Sequence, residues 1–138
     1  MSSAIRKLAA LMTEMQQSAV LYARSRGVHT SALSDGEKLL ALSEDVGRHN
    51  TIDKLRGACL IEKIDPLGTI LFCTGRISSE MINKVARMGC PIVVSRTSPT
   101  SLSVKLAREW NITLVGYLRR DSMRVYAHAE RLQMQNTE

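Results

Sequence analysis

Three short stretches of this chain concentrate side chains suited to holding an anion. Glu44-Asp45-Val46-Gly47-Arg48-His49-Asn50 packs two acids, a glycine, an arginine, a histidine and an amide into seven positions. Thr74-Gly75-Arg76-Ile77-Ser78-Ser79 and Ser95-Arg96-Thr97-Ser98-Pro99-Thr100 repeat the combination of arginine with hydroxyl groups. A guanidinium fork matches phosphate oxygens, and a helix start adds unpaired N–H groups with a partial positive charge. Gathering Arg48, Arg76 and Arg96 costs repulsion unless an anion compensates, so a phosphate-bearing ligand is the expectation. Glu44 and Asp45 have the opposite sign. They suit pairing with those arginines, holding a ligand amine or guanine edge, or binding Mg²⁺ beside phosphates. His29 and His49 suit acid–base chemistry or, as the expected role, structural hydrogen bonding; His128 reads as peripheral. No catalytic residue and no bound metal are assigned.

The elements between these stretches explain why they would meet. Thr69-Ile70-Leu71-Phe72-Cys73, Pro91-Ile92-Val93-Val94-Ser95 and Ile112-Thr113-Leu114-Val115-Gly116 are short, apolar and partly β-branched, as strands buried on both faces should be. Helical patterns alternate with them: Ile52, Leu55 and Cys59; Met81, Ile82, Val85 and Met88, stopped at Gly89; Leu102, Leu106 and Trp110. Strands alternating with helices imply parallel strands with right-handed crossovers. The three polar stretches then fall at the carboxyl ends of strands, where open α/β sheets bind ligands. Ser78 should cap one helix, and Ser98 should cap the next with Pro99 at its first position. Arg119 and Arg120, just past the last parallel strand, would rim the same edge.

Ahead of this pattern, Ile5, Leu8, Met12, Met15, Ala19 and Tyr22 mark an amphipathic helix over about residues 4 to 24. Its Met-rich stripe is read as packing; a homodimer is the expected assembly, and this helix is one face through which it could form. Strands near 28–33 and 38–44 form an antiparallel hairpin about Ser34-Asp35-Gly36-Glu37. The last strand is Arg124-Val125-Tyr126-Ala127. Residues 1–128 should form a single α/β domain with an amino-terminal helix, and residues 129–138 a polar tail that frays.

Composition bounds the partners. A net charge of +6 favours anionic ones. Aromatics are scarce at 4% and fall in strand or helix patterns, so a stacking platform for nucleic acid is not expected. Cys59, Cys73 and Cys90 are odd in number and sit among apolar residues, which suits a reducing cytoplasm. No apolar run is long enough to span a membrane.

A hairpin followed by alternating helices and strands is also the layout of cytidine deaminases, and the fold expected is a three-layer α/β/α mixed sheet of that type. The zinc signature of those enzymes is missing, because Phe72-Cys73-Thr74-Gly75-Arg76 offers one lone cysteine where a Cys-x-x-Cys pair is needed. The segments EDVGRHNTIDK, TGRISSEMINK, SRTSPTSLSVKLA and ITLVGYLRRDSMRVYAH closely resemble the FdhD family, the formate dehydrogenase accessory sulfurtransferases. The resemblance implies sulfur received from a cysteine desulfurase and passed to bis-molybdopterin guanine dinucleotide destined for formate dehydrogenase. GDP would be a surrogate ligand. It also implies that Tyr117 through Ser122, and so Arg119, Arg120, Asp121 and Ser122, contact the cofactor. The family's Cys-x-x-Cys loop, its sulfur carrier, is not among these residues, and Ser25-Arg26-Gly27-Val28-His29 keeps a family histidine but loses a glycine. The chain is therefore expected to bind cofactor or guanine nucleotide and, alone, to transfer no sulfur. A stand-alone nucleotide or phosphate module, or a non-catalytic interaction protein, is the alternative.

Overall fold

The computed structural model describes residues 2–19 and 27–132. In chain order the elements are α1 (Ser2–Ser18), β1 (His29–Ser34), β2 (Leu39–Asp45), α2 (Arg48–Glu62), a 3-10 turn (Pro66–Gly68), β3 (Ile70–Cys73), α3 (Ser79–Met88), β4 (Ile92–Ser95), α4 (Ser101–Glu109), β5 (Thr113–Gly116) and β6 (Arg124–Ala127). They build one six-stranded sheet in the order β2-β1-β3-β4-β5-β6. β1 runs antiparallel to both β2 and β3; β3, β4 and β5 are parallel, and β6 closes the far edge antiparallel to β5.

Successive strand side chains face opposite sides of a sheet, and here each side finds a different helical layer. Ile70 and Phe72 of β3 and Ile92 and Val94 of β4 pack with Leu8, Leu11, Met12 and Met15 of α1. Leu71, Cys73 and Val93 join Ile52 and Leu55 of α2, Met81, Ile82 and Val85 of α3 and Ala107 of α4. The result is the α/β/α mixed sheet that strand and helix periodicity imply. Met12 and Met15 are buried, so the Met stripe of α1 packs into the core against the sheet. The expected helix reached residue 24. It ends at Ser18 in the structure, and Tyr22 lies outside the described residues.

Local chemistry sets the boundaries. Gly36 turns the first hairpin at φ 97°, and Asp35 Oδ1 accepts from the N–H groups of Glu37 (2.9 Å) and Lys38 (3.0 Å). Ser78 caps α3 by accepting from Met81 N, and Gly89 ends it at φ 91°. Helix α4 corrects two expectations. Its cap is Thr100, whose hydroxyl accepts from Ser103 N at 3.1 Å, because Pro99 is held in a bridge to Ile77 and Ser98 lies before it. Its buried residues are Ser103 and Ala107, whereas Leu102 and Trp110 are exposed. Val104 and Leu106, partly buried, pack against the same core, so of the expected apolar face only Leu106 is turned inward. The carboxyl-terminal segment is better anchored than its polarity suggests: Leu132 is buried, Arg131 Nη1 donates to Thr113 Oγ1 at 3.1 Å, and His128 Nε2 lies 2.9 Å from Arg108 O. Residues 133–138 of the expected tail lie outside the described residues. Among those described, no helix is long and apolar enough to cross a membrane.

Candidate anion-binding site

The topology brings the carboxyl ends of β2, β3, β4 and β5 to one edge of the sheet, beside the amino ends of β1 and β6. Hydrogen bonds lace the connections that follow β3, β4 and β5 into one unit. Ser95, fully buried, donates its hydroxyl to Gly75 O at 2.7 Å and accepts from Thr97 N at 3.1 Å. Thr100 N donates to Ile77 O, Tyr117 N to Thr97 O and Leu118 N to Ser95 O. Arg119 Nη1 donates to Arg96 O at 2.8 Å, and Arg119 N to Ser122 O. Gly116 makes this closeness possible: a Cβ there would stand 2.9 Å from Thr97 O and from Tyr126 Cε2. Tyr117 follows at φ 51°, an uncommon conformation for a bulky residue, with Arg124 over its ring at 5.4 Å.

Two cavities open on this edge. The larger, of about 600 Å³, is walled by α1 through Arg6, Ala9, Met12, Thr13, Glu14 and Gln16 among others, and by Arg96, Leu118, Arg119 and Arg120 opposite. The smaller, of about 170 Å³, is lined by Gln16, Thr74, Arg96, Thr97 and Arg119. Arg96, Arg119 and Gln16 line both. A 600 Å³ cleft lies within the range of small-molecule sites, and four arginines around it give a strongly positive field.

The trio of arginines read from the sequence is therefore not the trio assembled. Arg96 meets Arg119 and Arg120, joined by Arg6. Arg76 is exposed and lines neither cavity. Arg48 stands one connection away, its Cδ close to Gly75 beside His29. Its Nε is buried without a hydrogen-bond partner, as is Thr30 Oγ1 nearby, and Thr30 N donates to Thr74 Oγ1.

Other candidates turn out to build the loops. Asp45 Oδ1 accepts from Gly47 N at 2.9 Å and Asn50 Nδ2 at 3.2 Å, and Oδ2 pairs with Lys54 at 2.9 Å. Its partner is thus a lysine rather than an arginine. The Gly47 N–H above all, with Lys54 and Asn50, holds its carboxyl well below the usual carboxylate range. Glu44 gives its backbone carbonyl to the same Lys54. Gly47 is the extended N-cap of α2, with no side-chain cap. His49 Nδ1 stands 3.6 Å from Glu80 Oε2, between α2 and α3. Ser78 and Thr100 are caps, Ser79 opens α3, Ser98 is half-buried, and Asp121 and Ser122 are exposed. Cys59, Cys73 and Cys90 are buried; burial raises all three thiols, Cys73 to about 12. None has the activated thiolate that sulfur chemistry requires. Among the described residues no group of three His, Cys, Asp or Glu is placed to hold a metal.

The wall contributed by α1 escaped sequence reading entirely. Arg6, Thr13, Glu14, Gln16 and Gln17 look like the solvent side of an amphipathic helix, and only the packing angle reveals that part of this side overlooks a cleft.

Fold and site together define an α/β domain with a cationic cleft at the carboxyl edge of its parallel strands. Comparison with known proteins narrows this class: the chain belongs to the FdhD/NarQ family, whose model matches residues 1–133. It is 45% identical over 123 residues to the sulfur carrier protein FdhD of Bacillus subtilis (strain 168), covering 89% of this chain and 47% of that protein. The corresponding Staphylococcus haemolyticus protein is 39% identical over 122 residues, covering 88% and 46%. The chain thus spans about half the length of the curated relatives it matches. A crystal structure of a proposed formate dehydrogenase accessory protein from Desulfotalea psychrophila superposes with a TM-score of 0.85 at 37% identity, over 92% of this chain and 55% of that one.

Proposed function

We propose that this chain is the cofactor-holding half of a sulfur carrier that serves formate dehydrogenase, and that its cationic cleft takes the pyrophosphate of a guanine nucleotide, in fullest form bis-molybdopterin guanine dinucleotide. The observation that carries this reading is the convergence of Arg6, Arg96, Arg119 and Arg120 on one cleft with only one carboxylate among its described lining residues. An anion seated among them offsets their mutual repulsion. Arg96 and Arg119, which line both cavities, would hold phosphate oxygens. Thr74 and Thr97 would add hydroxyls. The unpartnered Arg48 Nε, at the next connection, fits a further acceptor of an extended ligand. When bound, the cofactor supplies the acceptor for sulfur, and this chain's residues bind it, orient it and shield it on the α1 side.

With all three cysteines buried, the sulfur itself must come from thiols outside the described residues, charged by a cysteine desulfurase. The chain alone then binds cofactor and transfers nothing. Calorimetric titration with GDP and ADP in parallel tests the reading. Arg96→Ala should weaken GDP binding by about 1.5–3 kcal/mol through loss of a charge-assisted hydrogen bond, whereas Arg76→Ala should leave it unchanged. Equal loss in both variants, or none in either, refutes the placement.

A further inference from the structure

The larger cavity contains one feature that phosphate binding does not use. Four of its lining residues are arginines, and Glu14 is the single carboxylate among the described ones. Glu14 is exposed and forms no ion pair with any described residue, although Lys7 on the same helix pairs with Glu37 at 2.8 Å. Helical spacing explains its placement. Arg6, Ala9, Thr13 and Gln16 recur at three and four residues, and Ala10, Glu14 and Gln17 form the adjoining ridge, so both rows overlook the cleft. The alanines leave room between the ends of the wall. Arg6 and Glu14 stand about 12 Å apart along the helix axis, which separates a cationic end from an anionic one within one cleft.

An ionised carboxylate only accepts hydrogen bonds. It therefore pairs best with a ligand edge presenting two neighbouring N–H donors, and it repels an edge that sets a ring-nitrogen lone pair beside an amino group. Guanine, and the 2-amino-4-oxopyrimidine edge of a pterin, present the first arrangement; adenine presents the second. We infer that Glu14 is the base-reading residue of the cleft, accepting from the adjacent ring N–H and exocyclic amino group of a guanine-type edge while the arginines across the cleft take the phosphates. This rests on the proposed reading of the cleft as a nucleotide site and assigns its selectivity to α1.

Titration of the wild-type chain and of Glu14→Ala and Glu14→Gln with GDP, IDP and ADP tests the assignment, with circular dichroism confirming that each variant folds. The wild type should prefer GDP to ADP by tenfold or more, and GDP to IDP, which lacks the exocyclic amino group. Glu14→Ala should lose both preferences while still binding all three diphosphates. Glu14→Gln, whose amide can turn to suit either base, should gain affinity for ADP. A GDP-to-ADP ratio unchanged in Glu14→Ala overturns the role of Glu14 and leaves the nucleotide site standing. Absence of binding by the wild type overturns both.

Discussion

Replacing Gly116 by alanine should cost the domain both stability and its cleft. The added methyl would lie 2.9 Å from Thr97 O, 2.9 Å from Tyr126 Cε2 and 3.2 Å from Pro99 Cδ, all well inside van der Waals contact. Relief requires displacement of backbone, because Thr97 O is tied to Tyr117 N and Leu118 N is tied to Ser95 O. Overpacking of a close-packed site costs about 1–3 kcal/mol. Taking about 2 kcal/mol and a urea slope of about 2 kcal/mol/M, the midpoint of urea denaturation should fall by about 1 M. The same displacement moves Arg96 and Arg119, which line both cavities, so GDP affinity should drop in the variant even under fully folding conditions. A midpoint equal to or above that of the wild type would refute the argument that the three loops are locked together through this glycine.

Gly57 provides the contrasting case: a Cβ there meets nothing within 4 Å, and it lies inside α2, so Gly57→Ala should stabilise by about 0.5–1 kcal/mol in the same denaturation assay. Asp45 has its carboxyl held low, chiefly by the Gly47 N–H. A depressed acid contributes stability above its unfolded value and loses it as pH falls through the folded one; the wild type should therefore weaken below about pH 4, and Asp45→Asn should start less stable and show a shallower acid slope. Alkylation followed by mass spectrometry should find Cys59, Cys73 and Cys90 unmodified in the folded chain at neutral pH and all three modified in urea. Rapid labelling of Cys73 would contradict its burial.

Most of the fold was legible because strand and helix periods decide which faces are apolar. Thr69–Cys73, Pro91–Ser95 and Ile112–Gly116 were readable as buried strands, and their ends came out within a residue of the observed ones. The face of α4 was not, since Leu102 and Trp110 are apolar yet exposed, while the buried Ser103 and Ala107 are small enough to be overlooked by hydrophobicity. The cap at Thr100 rather than Ser98 was hidden by the Ile77–Pro99 bridge, a contact between residues far apart in sequence. At the cleft, the carboxyl-end rule placed the junctions correctly on one edge, but Arg76 and Arg96, both exposed and similarly placed in their loops, part ways: Arg96 lines the two cavities and Arg76 lines neither. Loop side-chain direction depends on tertiary hydrogen bonds, and Arg119 is fixed by Arg96 O. The contribution of α1 required knowing the angle at which it crosses the sheet.

Met12 sits at 3% exposure in the interior and also forms part of the cleft wall. Any guest therefore leans on the same helix that packs over one side of the sheet, and occupancy and resistance to unfolding become a linked pair. At a free concentration one hundred times Kd, mass action alone adds about 2.7 kcal/mol, and the amides of α1 are where that reinforcement should be felt as slowed exchange with solvent.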